Sequence, residues 1–234
     1  MVYNWSINKQ FCLLCDEPCE GHPLCLPCEA ELPWLDGQCA VCAVPLPTHG
    51  LVCGECLKRP PSYDHVEVPW RFAFPVDALI TRFKHQARWP FGRLLGERLG
   101  LHLQHAFAEG LPQPDLLVPV PLARRRMRQR GFNQAQMLAQ WLGQVLKLPV
   151  DGHLLQRVVD TPPQQQLDAA TRRRNLRKAF AMAQGSDLGG RHLALIDDVL
   201  TTGATAEALA RLLKRAGAAR VDVYCLARTP KPGD

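Results

Sequence analysis

The stretch from His192 to Ala210, HLALIDDVLTTGATAEALA, narrows the choice of fold more than any other part of the chain. Leu193, Ala194, Leu195 and Ile196 form a short apolar run without alternation, the pattern of a strand buried on both faces of a parallel sheet. Two adjacent acids, Asp197 and Asp198, follow where that strand is expected to end. Thr201, Thr202, Gly203, Ala204 and Thr205 make a small, hydroxyl-rich turn. Ala206, Leu209, Ala210, Leu212, Leu213 and Ala216 then recur at helical spacing, so a helix is predicted from near Thr205. This order outlines a site for a sugar phosphate. Loop amides, threonine hydroxyls and the positive helix N-terminus hold the phosphate, and the carboxylates accept hydrogen bonds from ribose hydroxyls. Helix capping alone accounts for single Asp, Thr or Gly residues at a turn, but less well for the whole run. No Lys-Ser or Lys-Thr follows the glycine, so this is not a Walker loop.

The other strong pattern lies at the opposite end. Eight of the 10 cysteines form four C-x2-C pairs: Cys12/Cys15, Cys25/Cys28, Cys39/Cys42 and Cys53/Cys56. The first residues, MVYNWSINKQ, lack the apolar core of a secretory signal, and no apolar run approaches the ~20 residues of a membrane span. The expected compartment is therefore the cytoplasm, where thiols stay reduced. A C-x2-C turn brings two thiolates onto one tetrahedral ion, and two such turns complete a structural zinc site. A single pair also fits a redox motif; four in succession favour metal, about two zinc ions in all. The even spacing leaves two arrangements open, sequential pairing or a crossed one joining the first turn to the third. Sequential pairing is preferred because each short intervening segment can close as a local hairpin. Cys19 is left over as a surface thiol, and His22 and His49 are possible substitute ligands. So small a segment takes much of its folding energy from metal. It serves either as an interaction surface or as structural support.

Arg59-Pro60-Pro61-Ser62 ends the cysteine-rich region. At 234 residues the chain can hold one good core and a small satellite. Tyr63 to Phe74 is predicted as strand or hairpin, Val76 to Phe83 as helix. Pro90 and Gly92 break the pattern before a second helix marked by Leu95, Leu99, Leu103 and Phe107. Arg82 and Lys84 either face the cleft or lie on an exposed basic helix edge, and the edge is the expected place. Leu116 to Val118 is a second buried strand. Five arginines then fall between Arg124 and Arg130, ahead of a helix from Gln134 to Leu148. Their place between a strand and a helix N-terminus, where α/β folds bind anions, makes them candidates for a diphosphate. Leu154 to Val159, Ala179 to Met182 and Arg220 to Leu226 are predicted strands, with Cys225 in the core. Thr161 to Lys178, polar and arginine-rich, is either disordered or a lid. The net charge of +6 is compatible with anionic substrates or nucleic acid and proves neither.

The acid pair followed by TTGAT resembles the phosphoribosyl diphosphate (PRPP) motif of type I phosphoribosyltransferases. With the four C-x2-C pairs, VPVPL, RGFNQ and RRRNLRKAF, nearly the whole chain resembles the ComF/GntX family of competence-associated, phosphoribosyltransferase-like proteins. The resemblance implies an α/β fold with an open, mostly parallel sheet over 61–234, behind a zinc-ribbon domain over 1–60. It implies that Asp197 and Asp198 bind the ribose and Thr201, Thr202, Gly203, Ala204 and Thr205 the 5′-phosphate. Arg128, Arg130, Gly131 and Asn133 would lie near the diphosphate, with magnesium, and Gln164, Arg172, Arg174 and Asn175 would belong to the lid. It also implies a phosphoribosyl transfer to some acceptor and a part in DNA uptake with competence proteins. A non-catalytic alternative from the residues themselves is a single-stranded-DNA-binding or adaptor protein that reuses the fold, with Trp5, Trp34 or Trp70 as stacking surfaces for DNA.

Overall fold

The computed structural model describes residues 10–19, 21, 23–48, 50–159, 178–183 and 187–230. His22, His49, Trp5 and the expected lid residues Gln164, Arg172, Arg174 and Asn175 lie outside them. The chain begins with two small cysteine-bearing modules. In the first, β1 (Gln10–Phe11) pairs antiparallel with β2 (Pro18–Cys19), followed by α1 (Leu26–Ala30). The second is mostly turns and closes with α2 (Gly54–Lys58). Then come β3 (His65–Glu67), β4 (Trp70–Arg71), α3 (Val76–Gln86), α4 (Trp89–Ala108), β5 (Leu116–Pro119), α5 (Arg124–Arg130) and α6 (Gln134–Leu146). The chain continues through β6 (Leu155–Arg157), β7 (Phe180–Met182), β8 (His192–Leu200), α7 (Ala204–Arg215) and β9 (Arg220–Arg228).

β8 and β9 form the centre, paired in parallel from His192 opposite Arg220 to Leu200 opposite Arg228. β5 extends the sheet beyond β8, and β3 and β4 both join the far side of β9, all parallel. Alternate side chains serve different layers, as strand geometry requires. Leu193, Leu195, Val221, Val223 and Cys225 pack with Ala206, Leu209, Ala210 and Leu213 of α7. Ala194, Ile196, Tyr224 and Leu226 pack with Leu79, Ile80 and Phe83 of α3, Leu95, Leu99 and Leu103 of α4, and Leu138 and Leu142 of α6. A strand covered on both faces needs apolar residues at every position, which is why β8 reads as an unbroken run. β6 and β7 pair antiparallel as a separate ribbon.

The structure differs from the sequence expectations at three places and adds to them at a fourth. β8 does not end before the acids; it runs through Asp197 and Asp198 to Leu200, because β9 continues beside it. The segment after Tyr63 is no hairpin, since both its strands run parallel to β9. Pro90 and Gly92 sit inside α4; a proline in the first turn loses no helical hydrogen bond. The arginine run, placed from sequence only between a strand and a helix, forms the seven-residue helix α5 itself, ended by Gly131 at φ 79°.

The cysteine modules sit against the sheet rather than apart from it. Buried residues of the first, Cys12, Leu24 and Leu32, join the α3–α4 layer with Trp70, and those of the second join the α7 layer. Trp34 stacks on Trp70 with ring centroids 5.6 Å apart, and its Nε1 donates to the Glu29 carbonyl. Glu67 sits between the sheet and α4, with His65 Nε2 at 2.8 Å and His102 Nε2 at 2.6 Å, while His65 Nδ1 reaches the Ala40 carbonyl. Burial alone raises a carboxyl's pKa; here the hydrogen bonds from His102 and His65 outweigh it and hold Glu67 down to about 2.

α3 and α4 meet so closely at Gly92 that a Cβ there would lie 2.6 Å from the Phe83 ring, which is fully buried and has nowhere to swing. Gly92→Ala is expected to destabilise the fold by about 1–3 kcal/mol through overpacking. Chemical denaturation would report it as a lowered midpoint at unchanged slope.

Candidate functional site

The candidate site lies at the carboxyl ends of β5 and β8, where strands hand over to helices. Thr201 and Thr202 are exposed in the turn after β8. Gly203 is buried at φ 73° and caps α7, a left-handed conformation that favours glycine. The Thr202 hydroxyl accepts from the Ala204 N–H at 3.4 Å. Ala204 and Thr205, both half-buried, open the helix, whose first N–H groups have no intrahelical acceptors. Hydroxyls, amides and the positive end of a 12-residue helix thus converge on one turn.

The acid pair leads into that turn. Asp197 Oδ1 accepts from the Asp198 N–H at 2.9 Å, and Asp198 Oδ1 from the Val199 N–H at 2.7 Å. Successive strand side chains leave on opposite faces, so Asp198 turns toward α3. There Lys84 Nζ meets Asp198 Oδ2 at 2.8 Å, with the two side chains 19% and 6% exposed. Lys84 is therefore not on an exposed edge as its sequence context suggested. Arg82 is exposed, with its guanidinium 5.5 Å from the Phe91 ring centroid. Asp197 is held above the usual carboxylate range, to about 7, by burial and then by the Asp198 charge.

Lys84 also lines a cavity of about 450 Å³ with His85, Ala87, Arg126, Gln129, Arg130 and Phe132. Burial, and then Arg130 and Lys84, lower the His85 pKa. Arg130 is lowered by burial and by Arg126, against the pull of Asp198. These directions mark one concentrated positive field beside an acid. Of the residues placed near a diphosphate from the sequence, Arg130 reaches the cavity, while Arg128 is exposed and does not line it. Gly131 caps α5. Asn133 is the N-cap of α6: its Oδ1 accepts from the Ala135 N–H at 3.0 Å and its Nδ2 donates to the Val120 carbonyl at 3.1 Å. Of the other lining residues, Arg126 belongs to the arginine run offered for a diphosphate, and Gln129 and Phe132 lie among the residues expected beside it, whereas His85 carried no sequence signal. The packing of α3 and α5 decides which of their side chains turn inward.

The cysteines resolve into two sets, Cys12/Cys15/Cys25/Cys28 and Cys39/Cys42/Cys53/Cys56, each with all four ligand atoms within 4.8 Å of one another. Pairing is sequential, not crossed. Cys15 and Cys25 sulfurs lie 3.7 Å apart, as do those of Cys42 and Cys53. Zinc bonded to four sulfurs at about 2.3 Å sets sulfur–sulfur edges of about 3.8 Å, so both sets fit the ion. The Cys25 and Cys53 N–H groups point at the Cys12 and Cys39 sulfurs at 3.5 and 3.3 Å, orienting them as outer-shell donors do.

The chain is 38% identical over 221 residues to the DNA utilization protein YhgH of Escherichia coli (strain K12), covering 93% of this chain and 96% of that one. It is 35% identical over 207 residues to competence protein F of Haemophilus influenzae, covering 88% and 90%. The chain belongs to the ComF family. Competence protein ComFC of Bacillus subtilis is 27% identical over 255 residues, covering 96% of this chain and 97% of that one. The family described as phosphoribosyl transferase domain matches residues 130–233, from the end of α5 through the acid pair and the hydroxyl turn. This ComF chain therefore joins a phosphoribosyltransferase-type α/β domain to two four-cysteine clusters, and no helix among its described residues is long and apolar enough to cross a membrane.

Lys84→Met leaves Asp198 buried without its cation and is expected to cost about 3–5 kcal/mol. Most of that returns in the Lys84→Met/Asp198→Asn double variant, as a double-mutant cycle of unfolding free energies will read. Asp197 gives a pH dependence of definite sign. An unfolded carboxyl titrates near ~4, so from there to about 7 the folded chain keeps a proton that the unfolded chain has lost. This contribution to stability falls as pH rises through that window. Asp197→Asn removes it, so the variant gains on the wild type as pH rises from about 4 to about 7, measured as the difference in denaturation midpoints.

Proposed function

We propose that this protein binds PRPP with magnesium and transfers its phosphoribosyl group to an acceptor, in the cytoplasm, in the handling of DNA taken up during transformation. The observation that carries the reading is the convergence of an acid pair, a hydroxyl-rich helix N-terminus and a cationic cavity at one sheet edge. The Thr201–Thr205 turn takes the 5′-phosphate, and Asp197 and Asp198 accept from the ribose hydroxyls. Breaking the bond from C1 to the diphosphate builds positive charge on the ribose and negative charge on the leaving group. Lys84, Arg126 and Arg130 face the leaving group, and the carboxylates offset the charge on the ring. Magnesium, a hard cation suited to oxygen donors, fits the acid pair and the diphosphate and would neutralise part of the departing charge. Gln164, Arg172, Arg174 and Asn175 are proposed to close over the site and keep water from the ribose. We take residues 1–60 as the zinc-bearing domain and 61–234 as the transferase-like one. The role in DNA uptake is supported by the names of the relatives, DNA utilization protein and competence protein F.

A second reading, single-stranded DNA binding, is favoured by a different surface from the one first considered. Trp70 is fully buried and offers no free face, while Trp34 is half-buried in a tilted contact with it. Trp89, 53% exposed, lies instead against Phe132 near the exposed arginines of α5. That combination suits stacking and backbone contact.

Calorimetric titration of PRPP and magnesium into zinc-loaded protein tests the first reading. Saturable binding is expected, lost in Asp197→Asn/Asp198→Asn; equal affinity in that variant would sink the site. Anisotropy of a labelled single-stranded oligonucleotide tests the second. Binding that weakens steeply with salt, and weakens further in Trp89→Ala, is expected of a stacking surface.

A further inference from the structure

Arg228 ends β9, and it is buried, 6% exposed. Among the described residues no carboxylate pairs with it. Its Nε donates to the Cys42 carbonyl at 2.9 Å. Its Nη1 points at the carbonyls of Leu200 and Thr229, each at 2.9 Å, and also at that of Thr201. Leu200 is the last residue of β8 and Thr201 the first of the hydroxyl turn. Cys42 belongs to the second cysteine set. One guanidinium therefore joins the entry of the phosphate turn to a backbone group of that set.

Two further contacts run the same way. Ser62, just after the second module, donates its N–H and hydroxyl to the Glu207 carboxylate at 2.6 and 3.0 Å, and Glu207 lies in the first turn of α7. Buried Tyr63 places its hydroxyl 3.3 Å from where a Cβ on Gly203 would stand. Elements following the first module make their ties elsewhere, through Arg98 to Glu29 and through Trp34 to Trp70.

A buried guanidinium satisfied only by neutral carbonyls carries an uncompensated charge, which is costly unless an anion lies close. Zinc with four thiolates has a net charge of minus two, and the second set is the fitting anion. We propose that Arg228 is a positioning residue that couples the second four-cysteine centre to the sugar-phosphate turn. The zinc tetrathiolate is its counter-ion, and the guanidinium fixes the Leu200 and Thr201 carbonyls, and with them the amides that face the phosphate. The coupling rests on the reading of that turn as the PRPP phosphate site. Coupling between two ligands is reciprocal, so PRPP must strengthen zinc binding at the second centre by the factor by which zinc strengthens PRPP binding.

The test uses zinc-loaded full-length protein and a chromophoric zinc chelator, with and without saturating PRPP and magnesium, beside calorimetry of PRPP binding. One of two zinc equivalents is expected to hold on about tenfold more tightly when PRPP is present, the other unchanged. In Arg228→Lys, which keeps the charge but cannot span four carbonyls, PRPP binding weakens about tenfold and the protection disappears while two zinc ions are retained. Wild-type protein that binds PRPP yet releases both zinc ions unchanged overturns the coupling and leaves the site standing. Protection of both ions alike, or protection undiminished in Arg228→Lys, also overturns it. Folded, zinc-loaded wild type that binds no PRPP overturns the site reading itself. If Arg228→Lys does not retain its zinc, the wild-type comparison decides alone.

Discussion

The pairing of β8 with β9 is the constraint on which the rest depends. Both strands are covered on both faces, so their side chains contribute to two apolar layers at once. That double burial fixes register, because a slip of one residue would exchange the two layers. It also carries β8 past its apolar run. With β9 alongside as far as Arg228, the ladder holds Asp197 and Asp198 in extended backbone. The hydroxyl turn can then start only after Leu200, at the sheet edge where α7 begins. The positions of the acid pair and the hydroxyl turn follow from this ladder.

Polar groups packed between those layers must be compensated, and the fold does so locally. Asp198 has Lys84, and Glu67 has two histidines. Arg228 has its hydrogen bonds met by carbonyls, while its charge has no paired carboxylate among the described residues. At the candidate site, too, compensation is left incomplete. Asp197 is held partly in its neutral form by burial and by its neighbour, while Lys84, Arg126 and Arg130 crowd one cavity with a single nearby acid. An anionic ligand bearing hydroxyls would answer both imbalances together.

The two cysteine modules are too small to bury a core by themselves, and each borrows one layer of the sheet. The first packs beside Trp70 and α4. The second reaches the strands and the phosphate turn through His65, Ser62, Tyr63 and Arg228. Metal at either set would therefore stabilise more than a local turn. This arrangement makes the second four-cysteine set part of the surroundings of the candidate site.

Much was legible in the chain alone. Four C-x2-C pairs specify two closed metal sites, since tetrahedral coordination needs four close thiolates and little else. The unbroken LALI run, the acid pair and the hydroxyl turn specify a parallel strand delivering a polar turn to a helix N-terminus, because each of those properties is local. Sequential pairing of the cysteines, the inward turn of Lys84, the helical state of the arginine run and the burial of Trp70 were decided by the tertiary structure. A lysine on a helix looks the same in sequence whether it faces water or an aspartate more than 100 residues away, and an arginine such as Arg228 shows nothing of the four carbonyls it will meet. Those outcomes depend on which faces the packed layers bring together, and no local pattern encodes them.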